Sequence, residues 1–315
     1  MIKVLFTGSI SLALLLNGYA QDDTTLRKDN DSVSVTAAKD TTRKSFDTTL
    51  LAVDTVVLQS VKEKSAQGSD EVYKLNLRVD IPLTVVTAGW SFYAFPKIYD
   101  KRGISDAELL NLNKQNINGF DRWAADVYHP KAAETSDIFF YASMPAPFLL
   151  LLDKEIRKDA LKVGFLYLEA MSVTGLFYTG SAYMWDRFRP LTYNANADPG
   201  EKRSGNARNS FLAGHPALVG TSTFFIASVY GDYHPDSKFK YVLYGAAAVA
   251  TGATAYLRHR GGKHFPSDLI VGTTIGTLSG LMVPRLHRNK AYANSKVRVM
   301  PFTGESHGLY VVYKL

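Results

Sequence analysis

Cysteine is absent from the 315 residues. That excludes disulfides, thiol nucleophiles and thiolate metal ligands, and it leaves the compartment unmarked by redox usage. No paired carboxylates and no histidine spacing of the metal-site kind stand out, so neither a metal nor another cofactor is expected. No aromatic–basic segment of the nucleic-acid-binding kind occurs either. The net charge of +7 is mild, and it suits anionic lipid or phosphate rather than nucleic acid. Apolar runs of the roughly 20 residues that a bilayer core demands are scarce. Val163 to Met184 is long enough, with Glu169 as its one charge; the other runs are shorter or broken by proline.

What is present divides the chain. Residues 1–20 read as a secretory leader: Lys3 precedes an apolar stretch, and Gly-Tyr-Ala ends at a plausible cleavage point before Gln21. Residues 21–46 are rich in Asp, Thr, Ser and Lys, too polar to bury much surface, and read as a disordered linker. Residues 47–81 form an N-terminal strand region. In it Tyr73, Leu75, Leu77, Val79 and Ile81 alternate with polar residues, the period of a half-buried strand. Residues 82–288 read as helix, including an amphipathic segment from Ser105 to Ala125 whose Ser105 and Glu108 have capping-box spacing. Gly272, Gly276 and Gly280 recur every fourth residue, a stripe that lets another helix approach closely. Residues 289–315 read as a β-hairpin. The expected fold is mainly α: a helical bundle with a small peripheral β element made from the two ends of the chain.

The chemistry concentrates in Arg258 to Asp268, R-H-R-G-G-K-H-F-P-S-D. If Pro266 opens a helix, His264 and Asp268, four apart, share one face of its start. A carboxylate there can hold one imidazole nitrogen and leave the other as a nucleophile. Arg258 can fork onto an oxyanion across the turn that Gly261 and Gly262 permit. Asp186 to Pro190 (D-R-F-R-P) and Ser210 to His215 (S-F-L-A-G-H) add cations and an imidazole at two more helix ends. His215 would sit at a helix N-terminus, where free N–H groups attract phosphate.

These three stretches resemble the signature of the type 2 phosphatidic acid phosphatase and vanadium haloperoxidase superfamily: K-x6-R-P, then P-S-G-H, then S-R-x5-H-x3-D. Arg189 and Pro190 match the first part, Gly214 and His215 the second, and Arg258, His264 and Asp268 the third. Ala182 stands in place of the lysine, Leu212 and Ala213 in place of Pro-Ser, and Leu257 in place of a serine. The resemblance implies the family's helical bundle and a metal-independent phosphatase acting on a phosphate monoester or diphosphate, in particular a phosphorylated lipid. His264 would be the nucleophile, giving a phosphohistidine; Asp268 would orient it, and His215 would be acid and base. Arg189, Arg258 and Gly214 would bind the phosphate. Lys263, Arg260 and Arg187 are the cations on hand to replace the absent donors. The alternatives are a non-catalytic envelope protein that binds anionic lipid and a vanadate-dependent haloperoxidase. The leader and the resemblance together place the protein in a bacterial cell envelope, in or on the inner membrane, with its site facing the periplasm.

Overall fold

The computed structural model describes residues 71–289, 297–303 and 307–313. The expected leader, linker and most of the 47–81 region lie outside the described residues. Six helices of 14 residues or more carry the architecture: α1 Leu77–Tyr99, α2 Pro130–Ser143, α3 Ala160–Met184, α4 Gly214–Tyr233, α5 Phe239–Arg260 and α6 Pro266–His287.

The expected strand over residues 72–81 is not formed. From Leu77 onward the chain is α1, and its buried residues Asp80, Thr84, Thr87, Ala94 and Ile98 follow a helical spacing. The alternation of Leu77, Val79 and Ile81 misled because all three lie on the exposed surface. The small sheet between the two ends of the chain is accordingly absent among the described residues. Tyr73 makes a single bridge with Arg288, while Val297–Thr303 (β1) and His307–Tyr313 (β2) pair antiparallel with each other, Val297 opposite Tyr313. The segment expected to run as one helix from Ser105 to Ala125 stops early. Its capping box forms, but the helix ends at Leu110, and asparagines then cap and turn the chain: the Asn113 side chain accepts from Gln115 N and that of Asn118 from Asp121 N.

The bundle buries many hydroxyls beside its apolar clusters and carries an apolar exterior. Thr174 and Thr221 hydroxyls meet at 2.7 Å, Thr87 donates to Ser172 at 2.8 Å, and Tyr167 meets Ser222 at 2.9 Å. Outward stand Val85, Val86, Phe92, Ile138, Tyr141, Val249 and Ile270, all exposed. Hydroxyl bonds between closely packed helices under an apolar exterior are the packing used in lipid. Three stretches, Pro130–Leu152, Ala160–Met184 and Pro266–His287, are long and apolar enough to cross a membrane. The glycine stripe has the use expected of it. α6 packs most extensively on α4, and a Cβ at Gly276 would stand 1.9 Å from the Ala217 carbonyl oxygen. No side chain fits there.

The helices run so that the C-termini of α3 and α5 and the N-termini of α4 and α6 share one end of the bundle. Ser181 near the end of α3 bonds Leu212 N just before α4, and Ala213 N donates to Asp268 O in α6. Every motif residue is at that end.

Candidate active site

The loop between α5 and α6 is shaped by Gly262, whose φ of +67° lies in the left-handed region. The turn lets Lys263 N donate to Arg258 O and Leu191 N donate to Gly262 O, which ties the loop to the segment after α3. His264 is thereby buried at the start of α6.

Asp268 does not hold His264 directly, contrary to the expectation from their spacing. Nδ1 of His264 lies 2.6 Å from the backbone oxygen of Ser210. A carbonyl only accepts, so Nδ1 carries the hydrogen and the neutral ring presents its lone pair at Nε2. Burial, with Arg189, Arg258 and His215 nearby, pushes the His264 pKa well down, so the ring is neutral near pH 7. Asp268 acts one step away: its Oδ2 accepts from the Ser210 hydroxyl at 2.6 Å and from Phe265 N at 2.9 Å. Ser210 stands between carboxylate and imidazole, its hydroxyl on Asp268 and its backbone oxygen on His264.

Arg187 and Lys263 are not free phosphate ligands. Arg187 bridges the buried carboxylates of Asp121 and Asp268. Lys263 is paired with Glu201, at 2.9 Å and 3.0 Å to its two oxygens. Arg189 and Arg258 are different. Arg189 is buried, bonded by Asn206 Oδ1 and Asn209 O, and among the described residues no carboxylate lies within ion-pair distance of it. Among the described residues Arg258 donates only long hydrogen bonds, to Ser136 Oγ and to Asp137 Oδ1, each at 3.3 Å, and its Nε is buried without a hydrogen-bond partner. Burial and the charge of Arg189 bring Arg258 down to about 10, still cationic at neutral pH. Two buried guanidiniums beside a buried neutral imidazole make a site for an anion.

His215 occupies the first turn of α4. Its Nε2 is 3.0 Å from Asp137 Oδ1, and its ring stacks on Phe140 at 4.5 Å. Asp137 and Phe140 lie one turn apart on α2 and hold the imidazole between them. The ring of Tyr178 lies against Gly214, where a Cβ would be 2.7 Å away. The Tyr178 hydroxyl meets that of Tyr99 at 3.1 Å, and both stand close enough to Arg189 and Arg258 to affect their charge. Ala182, at the position of the family lysine, is sealed in by Ile98, Tyr178, Leu212 and Ala217. Lys101 crosses instead to the end of α3, donating to Ala182 O at 2.5 Å and pairing with Asp186 at 2.6 Å. Asp137, Asp121, Tyr99 and Tyr178 carried no sequence signal, because each lies outside the motif spacing; Ser210 opens the S-F-L-A-G-H stretch, but no role was read for it there. Asp137 falls just before the apolar run from Ile138, and only its neighbour Phe140, three residues on, hints at a shared face.

Residues 163–292 match the family model of the PAP2 superfamily. This segment is similar to the PAP2 superfamily. It holds all four motif-bearing helix ends, with Arg189, His215, Arg258 and His264. A search of the curated proteins finds no match. Among solved structures, the chain is similar to the crystal structure of a transmembrane PAP2 type phosphatidylglycerolphosphate phosphatase from Bacillus subtilis. Identity is 17%, the match covers 64% of this chain and 94% of the other, and the TM-score is 0.39. Asp121, Asp137 and Tyr99 precede the matched PAP2 segment, so part of the site is built by the helices outside it.

One expected outcome concerns Asp137. Burial pushes His215 down to about 4, while the Asp137 carboxylate pulls it up. In Asp137→Asn the upward pull is lost, so the imidazolium becomes scarcer. The limb of kcat/KM that belongs to His215 should move to lower pH, and the deficit against wild type should be full at neutral pH and shrink in acid. With a general acid contributing about 10²–10⁴-fold, a loss near 10-fold at pH 7 is expected. A pH–rate profile checks this, and an unmoved limb would separate Asp137 from His215.

Proposed function

We propose that the protein is a metal-independent phosphatase that hydrolyses a phosphate monoester or diphosphate of a lipid through a phosphohistidine on His264. The observation that carries the reading is the pair of buried guanidiniums, Arg189 and Arg258, beside an imidazole whose Nδ1–H is committed to Ser210 O. Arg189 and Arg258 bind the phosphate and stabilise the charge on its equatorial oxygens. His264 Nε2 attacks phosphorus as the ester oxygen leaves. His215 gives that oxygen its proton, then takes one from the water that splits the phosphohistidine. Asp268 keeps Ser210, and through it His264, in position.

A lipid substrate is supported by an open groove of about 540 Å³ between α1, α3 and α6, lined by Trp90, Phe177, Met184, Trp185, Leu212 and Val271. Its walls are almost wholly apolar, and Leu212 and Ser181 place its inner end next to the loop that carries His215. An acyl or prenyl chain in this groove leads its phosphate to the guanidiniums. The catalytic end of the bundle faces the periplasm in this reading.

Phosphate release by the purified protein, compared across phospholipid, isoprenoid and lipid A phosphates and a water-soluble ester, tests the assignment. Long-chain substrates should show kcat/KM at least about 10-fold above the soluble ester, since each buried CH₂ contributes about 0.8 kcal/mol. Equal rates would remove the groove from the account, and no release from any substrate would favour a non-catalytic lipid-binding role.

A further inference from the structure

The opposite end of the bundle carries a second polar cluster. Asp80 stands in the first turn of α1, His287 is the last residue of α6, and Glu169 lies in α3, fifteen residues before its end at the phosphate site. Fifteen residues of helix span about 22 Å, so the two clusters are well separated. One ligand atom from each of Asp80, Glu169 and His287 lies within 4.8 Å of the other two.

Nε2 of His287 is 3.2 Å from Asp80 Oδ2 and 3.6 Å from Glu169 Oε2. Its Nδ1 is 2.8 Å from Val283 O, which only accepts. Nδ1 therefore carries a hydrogen, and Nε2 is the ring atom that faces the two carboxylates. Asp80 is fixed in turn by Asn76 N, which donates to its Oδ2 at 2.6 Å. Asp80 and Glu169 are both buried, Glu169 with 3% of its surface exposed. Glu169 Oε2, the atom that faces His287, has no hydrogen-bond partner. Thr84 Oγ1, one turn beyond Asp80 on the same helix, is also buried and unpartnered. Among the described residues no lysine or arginine forms an ion pair with Asp80 or Glu169. Two buried carboxylates and the imidazole nitrogen that faces them converge with no lysine or arginine beside them, an arrangement that can hold a cation.

We infer that Asp80, Glu169 and His287 bind one divalent transition-metal ion of the zinc or manganese class. One imidazole and two carboxylates are a mixed nitrogen and oxygen donor set, which suits these ions better than calcium, whose ligands are all oxygen. A dication balances two carboxylates. The bond from His287 Nδ1–H to a backbone carbonyl is the outer support that metal-bound imidazoles normally have. Because the three ligands come from α1, α3 and α6, the ion ties together the end of the bundle remote from the chemistry.

The test uses the full-length protein in detergent, stripped with chelator and titrated with Zn²⁺ and with Mn²⁺. One ion per chain should bind, and Tm should rise with ion concentration. Glu169→Gln keeps the side-chain shape and should weaken binding by more than the 10–100-fold typical of losing an outer support. If that variant does not fold, Asp80→Asn serves in its place. His215→Ala should bind as wild type does. Absence of binding by the wild-type protein, or equal affinity in Glu169→Gln, would overturn the assignment. So would loss of the ion in His215→Ala alone, which would locate it at the phosphate site. Greater stability in Glu169→Gln together with no metal binding by wild type would mean that the cluster shares a proton, and would also overturn it.

Discussion

His264→Ala should abolish turnover, with a loss on the order of 10⁴–10⁶-fold, the range seen when a covalent nucleophile is removed from a coupled set. His215→Ala should fail differently. With a substrate whose leaving group needs no proton, such as an aryl phosphate, the first step survives and the second, which needs a base for water, does not. A burst of aryl alcohol followed by a near-stop is the expected trace. The distinction rests on geometry. His264 is buried with Nδ1–H fixed on Ser210 O, so its Nε2 is the committed lone pair. His215 is held by its own Nε2 against Asp137 and is partly open, suited to proton exchange. A burst in His264→Ala, or its absence in His215→Ala, would exchange or dissolve the two roles.

The second large effect is expected at Asp268. Asp268→Ala removes the acceptor of the Ser210 hydroxyl and of Phe265 N, and it strips Arg187 of one of its two carboxylates. Arg187 keeps Asp121 and is partly exposed, so the stability cost should fall below the about 3–5 kcal/mol of breaking a fully buried pair from one side. The catalytic loss should be about 10²–10³-fold in kcat with KM little changed, since Arg189 and Arg258, the proposed phosphate ligands, are untouched. That split is the signature of a positioning residue: Asp268 sets His264 through Ser210 and does not touch the phosphate. Asp268→Asn, which can still accept from Ser210, should recover part of kcat. If KM rose in proportion to the loss, Asp268 would belong to phosphate binding instead.

The parts of the site that were legible in the sequence are those with fixed spacing. Arg258, His264 and Asp268 lie on one turn and one helix start, so their separation along the chain dictates their separation in space. Arg189 and His215 were legible as cations and imidazoles at helix ends. What stayed hidden depends on packing. The four-residue spacing of His264 and Asp268 suggested a direct bond, but Ser210 comes in from another loop and takes both partners. Arg187 and Lys263 looked free because their carboxylate partners, Asp121 and Glu201, are distant in sequence. Ala182 looked like a gap, yet it is buried in one cluster with Ile98, Tyr178, Leu212 and Ala217. The helices were legible; the strand expected over residues 72–81 was not one. In the first three turns of α1 the apolar residues Leu77, Val79, Ile81, Leu83, Val85 and Val86 are exposed, and the buried positions are Asp80, Thr84 and Thr87. Reading apolar as inward is right in water and wrong for this exterior. Asp80, Glu169 and His287 escaped for the same reason as Asp137: no spacing along the chain announces three residues brought together by three helices.

The most direct test of the central claim is to quench the wild-type protein during turnover of a substrate radiolabelled in its phosphate and to map the labelled peptide. The account expects an acid-labile, alkali-stable phosphoryl group on the peptide containing His264, more abundant in His215→Ala and missing from His264→Ala. Turnover without any phosphoenzyme, or a label on His215, would contradict it.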